Sequence, residues 1–91
     1  MGQDVNQLAD SAKSLYDQGQ YREALALYEQ ISAAQVKDSE LFYNMGNCYA
    51  RQGEMGEAKA FFERALIFDP SNTDAAYNLD WVNLRITDAL V

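Results

Sequence analysis

Apolar residues recur with helical spacing along the whole chain, in segments separated by short polar turns. The segment between Asp38 and Gly53 has the broadest apolar face of these segments. On a helical wheel its apolar arc covers about 220° of the circumference, whereas a surface helix needs only about 100°. Asn44, Asn47 and Arg51 alone remain outside that arc. We therefore expect this helix to be covered by neighbours on two sides, as the middle layer of a stack.

The chain repeats itself after 34 residues. In that register Gln18-Gly19 aligns with Gln52-Gly53, Glu23-Ala24 with Glu57-Ala58, Tyr28 with Phe62, Tyr43-Asn44 with Tyr77-Asn78, and Arg51 with Arg85. Residues 5–38 and 39–72 are thus predicted to be two repeats, each with two helices, and residues 73–91 the first half of a third. The predicted helices cover 4–18, 21–33, the segment before Gly53, 55–68 and 73–89.

The second repeat contains an ordered set of positions, namely Phe42, Met45, Gly46, Tyr49, Gly53, Ala58, Phe62, Ala65 and Pro70. This set resembles the signature of the tetratricopeptide repeat. The first repeat keeps most of it but departs at Ile31 and Val36. The resemblance extends over nearly the whole chain. It implies an all-α fold, an α-α superhelix of two helix-turn-helix repeats plus a C-terminal capping helix, forming a single domain over 1–91.

The predicted last helix has a core stripe formed by Ala75, Ala76, Leu79, Val82, Ile86 and Leu90. Asp80 stands where the middle helix has Gly46, so a further helix would bury its carboxylate at a cost of several kcal/mol. We therefore expect this helix to cap the stack. Because the third copy stops halfway and Met1-Gly2 resembles an expression remnant, we also expect the chain to be a piece of a longer protein.

Charge and composition exclude several classes of partner. Fourteen acidic and seven basic residues give a net charge of −7, with no cluster of Lys or Arg to bind a phosphate backbone or an anionic membrane. The acidity fits solubility, a basic or neutral partner, or a high-salt cytoplasm. Cys48, the single cysteine, allows neither an internal disulfide nor a thiolate metal site, and we expect it to be a small buried hydrophobe.

Catalysis is not expected either. The chain has no histidine, no nucleophile paired with a base and no glycine-rich phosphate loop. The acidic turn after Phe68 loosely resembles a calcium loop, but Pro70 and the missing central glycine spoil it. We predict no enzyme activity, no cofactor and no metal site.

A binding surface remains. The resemblance implies a concave groove, lined by the first helix of each pair, that holds a peptide or a partner protein. The candidate groove residues are Lys13, Tyr16, Tyr43, Asn44, Asn47, Arg51, Tyr77, Asn78, Trp81 and Arg85, together with Ala9. Asparagine amides can both donate to and accept from a peptide backbone. Tyr77, Trp81 and Leu84 form a second apolar strip, which either anchors a partner or covers the end of the core.

Two finer resemblances concern the partner. Chaperone-tail binders of this family clamp a terminal carboxylate, but of the clamp positions only Asn44 matches here, and Asp74 would repel such a tail. The run from Phe42 to Val82 is similar to the repeat segment of bacterial Bat aerotolerance-operon proteins, which are thought to be scaffolds of envelope-associated complexes.

Two functions follow from these patterns. The first is a non-enzymatic protein-interaction scaffold, and the alternative is a structural or self-associating segment of a larger multi-domain protein, as a monomer or weak homo-oligomer. The sequence as written predicts a soluble domain without leader or membrane segment, either cytoplasmic or a soluble part of an envelope-associated protein.

Overall fold

The computed structural model describes residues 4–90 of the chain. This part consists of five α-helices without any strand: α1 (Val5–Asp17), α2 (Tyr21–Ala33), α3 (Ser39–Arg51), α4 (Met55–Phe68) and α5 (Thr73–Ala89). The predicted all-α fold is therefore confirmed. Met1-Gly2 and Val91, at the ends of the predicted domain, lie outside the described residues.

Side chains that accept backbone N–H groups mark the starts of three helices. Asp4 accepts from the backbone of Gln7 at 2.8 Å, Asp38 from Leu41 at 2.9 Å and Asn72 from Ala75 at 3.0 Å. The first-turn N–H groups of a helix have no partner within the helix, so each such bond stabilises its start. Asp38 and Asn72 are therefore the caps of α3 and α5.

The turns inside both hairpins depend on glycine. Gly19 and Gly53 lie 34 residues apart and have φ angles of 79° and 81°, a left-handed conformation that suits glycine. The link between the hairpins differs, because Gln35 adopts a φ of 67° there. A left-handed non-glycine residue costs roughly 1 kcal/mol, so the link that lacks proline carries some backbone strain.

The core runs through the middle helix, as its broad apolar arc predicts. Leu41, Phe42, Met45, Gly46 and Cys48 of α3 are buried. This helix packs against α2 on one side and α4 on the other, and it also touches α5. At the α3–α4 crossing, a Cβ atom added to Gly46 would lie only 2.6 Å from Cε1 of Phe62. Glycine at this position allows the two helices to approach each other closely.

Two predicted environments are wrong. Ala76 and Leu90, placed in the core stripe of α5, are exposed, since α4 covers only the side of α5 that holds Ala75 and Val82, and Leu90 follows the end of the helix. Arg64 is exposed, yet it lies across the rings of Phe42 and Phe61, with Cζ 5.4 Å and 4.8 Å from their centroids. Its charge remains near the surface while its plane covers aromatic carbon.

A short chain of hydrogen bonds joins three helix ends. Ser39 Oγ donates to the carbonyl of Ala65 at 2.8 Å, and Asn72 Nδ2 donates to Ser39 Oγ at 2.8 Å. Asn72 therefore caps α5 and also ties it to the start of α3 and the last turn of α4. The resulting stack is elongated, measuring 50 × 27 × 18 Å. In residues 4–90, no helix combines the length and hydrophobicity that crossing a membrane would require.

Candidate functional site

Helices α1, α3 and α5 contribute to two adjoining depressions. The first, about 310 Å³ in volume, lies over α1, α2 and α3. The second, about 440 Å³, is lined by α1, α3, α4 and α5. Tyr16 and Asn47 line both, so the two depressions form one continuous groove.

The first depression is mainly acidic. Its walls hold the predicted residues Ala9, Lys13, Tyr16, Asn44 and Asn47, and in addition Asp10, Asp17, Tyr28 and Glu40. Lys13 Nζ lies 3.3 Å from Asp17 Oδ2, an exposed pair with little energetic weight. Three carboxylates thus face this end of the groove, against one ammonium group that is already paired.

The second depression is aromatic. Tyr43, Tyr77 and Trp81 surround it with Tyr16, Asn47, Ala50, Arg51 and Asn78, and Phe62 from α4 forms part of its floor. Tyr77 is 73% exposed and Trp81 38%. Arg85 stacks on Trp81, with its Cζ 4.0 Å from the ring centroid. Leu84 continues the same exposed strip of α5. A partner could therefore bury much aromatic surface here.

Hydrogen bonds fix the polar side chains that line the groove. Asn78 Nδ2 donates to Asn47 Oδ1 at 2.8 Å, which links α5 to α3. Arg51 Nε donates to Tyr16 Oη at 3.2 Å, which links α3 to α1 and holds the pKa of Arg51 above its usual value. Two of the asparagines predicted to bind a partner's backbone are thus bonded to each other. The Nδ2 of Asn47 and the Oδ1 of Asn78 take no part in this bond, so a ligand could use both.

The most perturbed titratable groups are poorly suited to chemistry near neutral pH. Burial raises the pKa of Cys48 to about 12, and its thiol is fully buried. Burial is also the main cause that raises the pKa of Tyr28 to about 12. Neither group supplies a nucleophilic anion at neutral pH. Over residues 4–90, no three side chains among His, Cys, Asp and Glu are grouped as metal ligands would be.

All ten predicted groove residues lie along this surface. Nine line one or both depressions, and Arg85 contacts Trp81. The carboxylates of Asp10, Asp17 and Glu40 were not predicted, although the 34-residue register offered a signal: Glu40 stands at the position of Asp74, already assigned to the groove. Phe62 was not among the predicted groove residues either. A role for any of these residues in binding remains a prediction.

Several curated proteins are similar in sequence. DnaJ homolog subfamily C member 3 of Gallus gallus is 29% identical over 93% of this chain, and the probable biofilm formation methyltransferase WspC of Pseudomonas aeruginosa is 34% identical over 77%. Sperm-associated antigen 1 of Rattus norvegicus is 27% identical over 80%. This chain spans 17%, 17% and 8% of the lengths of those proteins, respectively.

A solved structure has the same fold. It is the second TPR of Spaghetti (RPAP3) bound to HSP90 peptide SRMEEVD, with a TM-score of 0.87 and 20% sequence identity. The similarity covers 94% of this chain and 80% of the other. Within this chain, residues 10–73 match the family model described as Tetratricopeptide repeat. The match covers most of the sequence, from within α1 to the first residue of α5, and the chain therefore belongs to the tetratricopeptide repeat family.

Proposed function

We propose that this chain is a non-enzymatic protein-interaction module, which binds a peptide or a partner protein in the groove formed by its two depressions. In this proposal the module is one domain, with repeats over 5–38 and 39–72 and a final helix over 73–91. The observation that carries the proposal is the convergence of exposed aromatic rings, asparagine amides and a guanidinium group around one depression.

Trp81 is the proposed anchor. Tryptophan, tyrosine and arginine dominate the binding energy of protein interfaces, and here Trp81 has Tyr77 one turn before it and Arg85 stacked on its ring. The stacking holds the indole in one orientation before a partner arrives, so little side-chain entropy is lost on binding. The remaining groups of the Asn47–Asn78 pair lie beside it and would bind the partner's backbone.

The test compares variants in the capture of partners from cells of the source organism. We expect Trp81→Ala to weaken retention of a specific partner about 30-fold, because truncating a central aromatic typically costs about 2 kcal/mol. Ile67→Ala is the matched control, since Ile67 is 75% exposed on α4 but lines neither depression. Full affinity in Trp81→Ala would contradict the anchor role.

The mode of binding proposed here differs from that of the solved relative, which carries the HSP90 peptide SRMEEVD. The positions of a carboxylate clamp are occupied here by Ala9, Lys13, Asp74 and Asn78, and only Asn44 matches. Titration with SRMEEVD peptide is expected to show no binding with micromolar affinity, which is the range typical of peptide-binding modules. Micromolar binding would refute this distinction while leaving the interaction function in place.

Self-association is the second candidate. The exposed strip of Tyr77, Trp81 and Leu84 could pack on a copy of itself, since such strips often mark protein contacts. Sedimentation over a range of concentrations distinguishes the two functions. A chain that remains monomeric at high concentration excludes self-association, whereas a dimer lost in Trp81→Ala supports it.

We also propose a type of parent protein for this chain. The segment from Phe42 to Val82 is consistent with a scaffold related to the bacterial Bat aerotolerance-operon proteins. The names of the curated relatives describe proteins of which this chain spans 17% or less, so a co-chaperone or methyltransferase function is not proposed for it.

A further inference from the structure

The groove-facing sides of α3 and α5 carry the same order of chemical groups. Each has a carboxylate near its start, then a Tyr-Asn pair, then a residue of the second depression, and finally an arginine. On α3 these are Glu40, Tyr43-Asn44, Asn47 and Arg51, and on α5 they are Asp74, Tyr77-Asn78, Trp81 and Arg85. Offsets of three or four, seven and eleven residues fall on one face of a helix. The two helices therefore present parallel stripes, acidic at one end and basic at the other.

The dimensions of these stripes suit an extended segment of a partner. Eleven residues separate the carboxylate from the arginine in each stripe. At 1.5 Å per helical residue they lie about 16 Å apart along the axis. An extended chain advances about 3.3 Å per residue, so about five residues of a partner would span that distance.

Helix stability alone does not account for this charge order. Glu40 and Asp74 lie in the first turns of their helices and Arg51 in the last turn of α3, where they complement the helix dipole. Arg85 does not follow this rule, because α5 continues to Ala89 and has no basic residue in its last turn. Arg85 instead lies over Trp81, at the edge of the second depression.

The two depressions also differ in charge. Asp10, Asp17 and Glu40 line the acidic depression with Lys13, which pairs with Asp17, whereas Arg51 is the charged residue that lines the aromatic one. Arg51 donates to Tyr16 through Nε, which leaves its two Nη groups for a carboxylate. Along α3 and α5 the groove thus offers anions at one end, aromatic surface in the middle and guanidinium groups at the other end.

We infer that the groove selects an extended segment of mixed charge: a cationic side chain beside Glu40 and Asp74, an apolar side chain among Tyr43, Tyr77 and Trp81, and a carboxylate beside Arg51 and Arg85. This inference rests on the proposed function, because it specifies the chemistry of the partner that the groove binds. A uniformly acidic segment would meet repulsion at one end, and a uniformly basic one at the other.

Blocked peptides with one apolar centre test the inference on the full 91-residue chain. Two carry lysine and glutamate about five residues apart, in either order along the chain, and the others carry glutamate at both ends or lysine at both ends. Amide NMR titrations measure each affinity. We expect the better mixed peptide to bind about tenfold tighter than either uniform one. Equal binding by a uniform peptide, or no binding of any peptide at about 1 mM, would overturn the inference.

A pair of variants links the preference to the arginines. Arg51→Gln combined with Arg85→Gln is expected to remove the advantage of the mixed peptides over the doubly basic one. Arg22→Gln combined with Lys37→Gln changes the net charge equally but lies outside both depressions, and it should keep that advantage. A preference that survives in the first variant contradicts the assignment.

The two proposals can fail separately. If the peptides show no charge preference while Trp81→Ala still loses its cellular partner, the groove binds a partner of other chemistry and only the charge inference is wrong. If Trp81→Ala keeps the partner as well, the groove itself is misassigned.

Discussion

The contact between Gly46 and Phe62 yields a quantitative prediction about stability. An alanine Cβ at Gly46 would lie 2.6 Å from Cε1 and 2.7 Å from Cδ1 of Phe62, about 1 Å closer than two carbon atoms normally approach. The ring cannot easily move, because Phe62 is fully buried beside Ala58 and Val82. Gly46→Ala should therefore force α3 and α4 apart or displace the ring.

The net effect combines two opposing terms. Overpacking of this kind costs about 1–3 kcal/mol, and the upper part of that range applies because two atoms would overlap. Replacing a helical glycine by alanine gains about 1 kcal/mol. We expect Gly46→Ala to lower the free energy of unfolding by about 2 kcal/mol. With a urea m-value of about 1 kcal/mol/M, the midpoint should fall by about 2 M.

Urea unfolding followed by circular dichroism measures this change, with Gly56→Ala as the matched control. Gly56 also lies in a helix, but an added Cβ would meet nothing within 4 Å, so this variant should be neutral or gain about 0.5 kcal/mol. The double variant Gly46→Ala with Phe62→Leu should recover part of the loss, since the smaller side chain relieves the overlap. Equal or greater stability in Gly46→Ala would refute the packing argument.

Two further predictions concern the inter-helix hydrogen bonds and alkaline pH. Asn72→Ala should cost about 1–2 kcal/mol in urea unfolding because the cap of α5 and the bond to Ser39 are both lost, whereas Ser71→Ala, which breaks only an exposed contact with Asp69, should change stability by less than about 0.5 kcal/mol. Burial raises the pKa of Cys48 from 9.0, and that of Tyr28 from 10.0, to about 12 in the fold. The contributions of Cys48 and Tyr28 to the free energy of unfolding are therefore intact below pH 9. They are lost as the pH rises to 12, at about 1.4 kcal/mol per pH unit for each group. Of these two groups, only the thiol lowers the stability between pH 9 and 10. Thermal unfolding of Cys48→Ala should therefore show no thiol-dependent loss of stability in that interval, and a pH dependence equal to that of the unchanged chain would contradict the assignment.

The helices and most of the core could be predicted from the sequence because they depend on local signals. Apolar spacing, glycines at positive φ and capping side chains act within a few residues of one another. The 34-residue register then carried the assignments from one hairpin to the next. Ala76 and Leu90 were placed wrongly in the core, because periodicity identifies an apolar face without showing how much of it a neighbouring helix covers.

In the candidate site too, local signals identified the residues but not the contacts between helices. The ten groove residues could be named from their register, but their mutual bonds could not. Asn47 and Asn78 are separated by 31 residues, and Arg51 reaches Tyr16 across 35. Such contacts depend on the rotation between successive hairpins, which side-chain packing sets. The same rotation brings Glu40 into the first depression with the acidic residues of α1.

The bond between Asn47 and Asn78 makes the two sides of the groove differ in their free hydrogen-bonding groups. Since Asn78 is the donor, Asn47 on α3 keeps both of its amide hydrogens, whereas Asn78 on α5 keeps one amide hydrogen and both lone pairs of its carbonyl oxygen. A polypeptide main chain presents its own N–H and C=O groups in an order that reverses when the chain is turned around. A retro-sequence with identical side chains would therefore present its donors and acceptors to Asn47 and Asn78 in the opposite order.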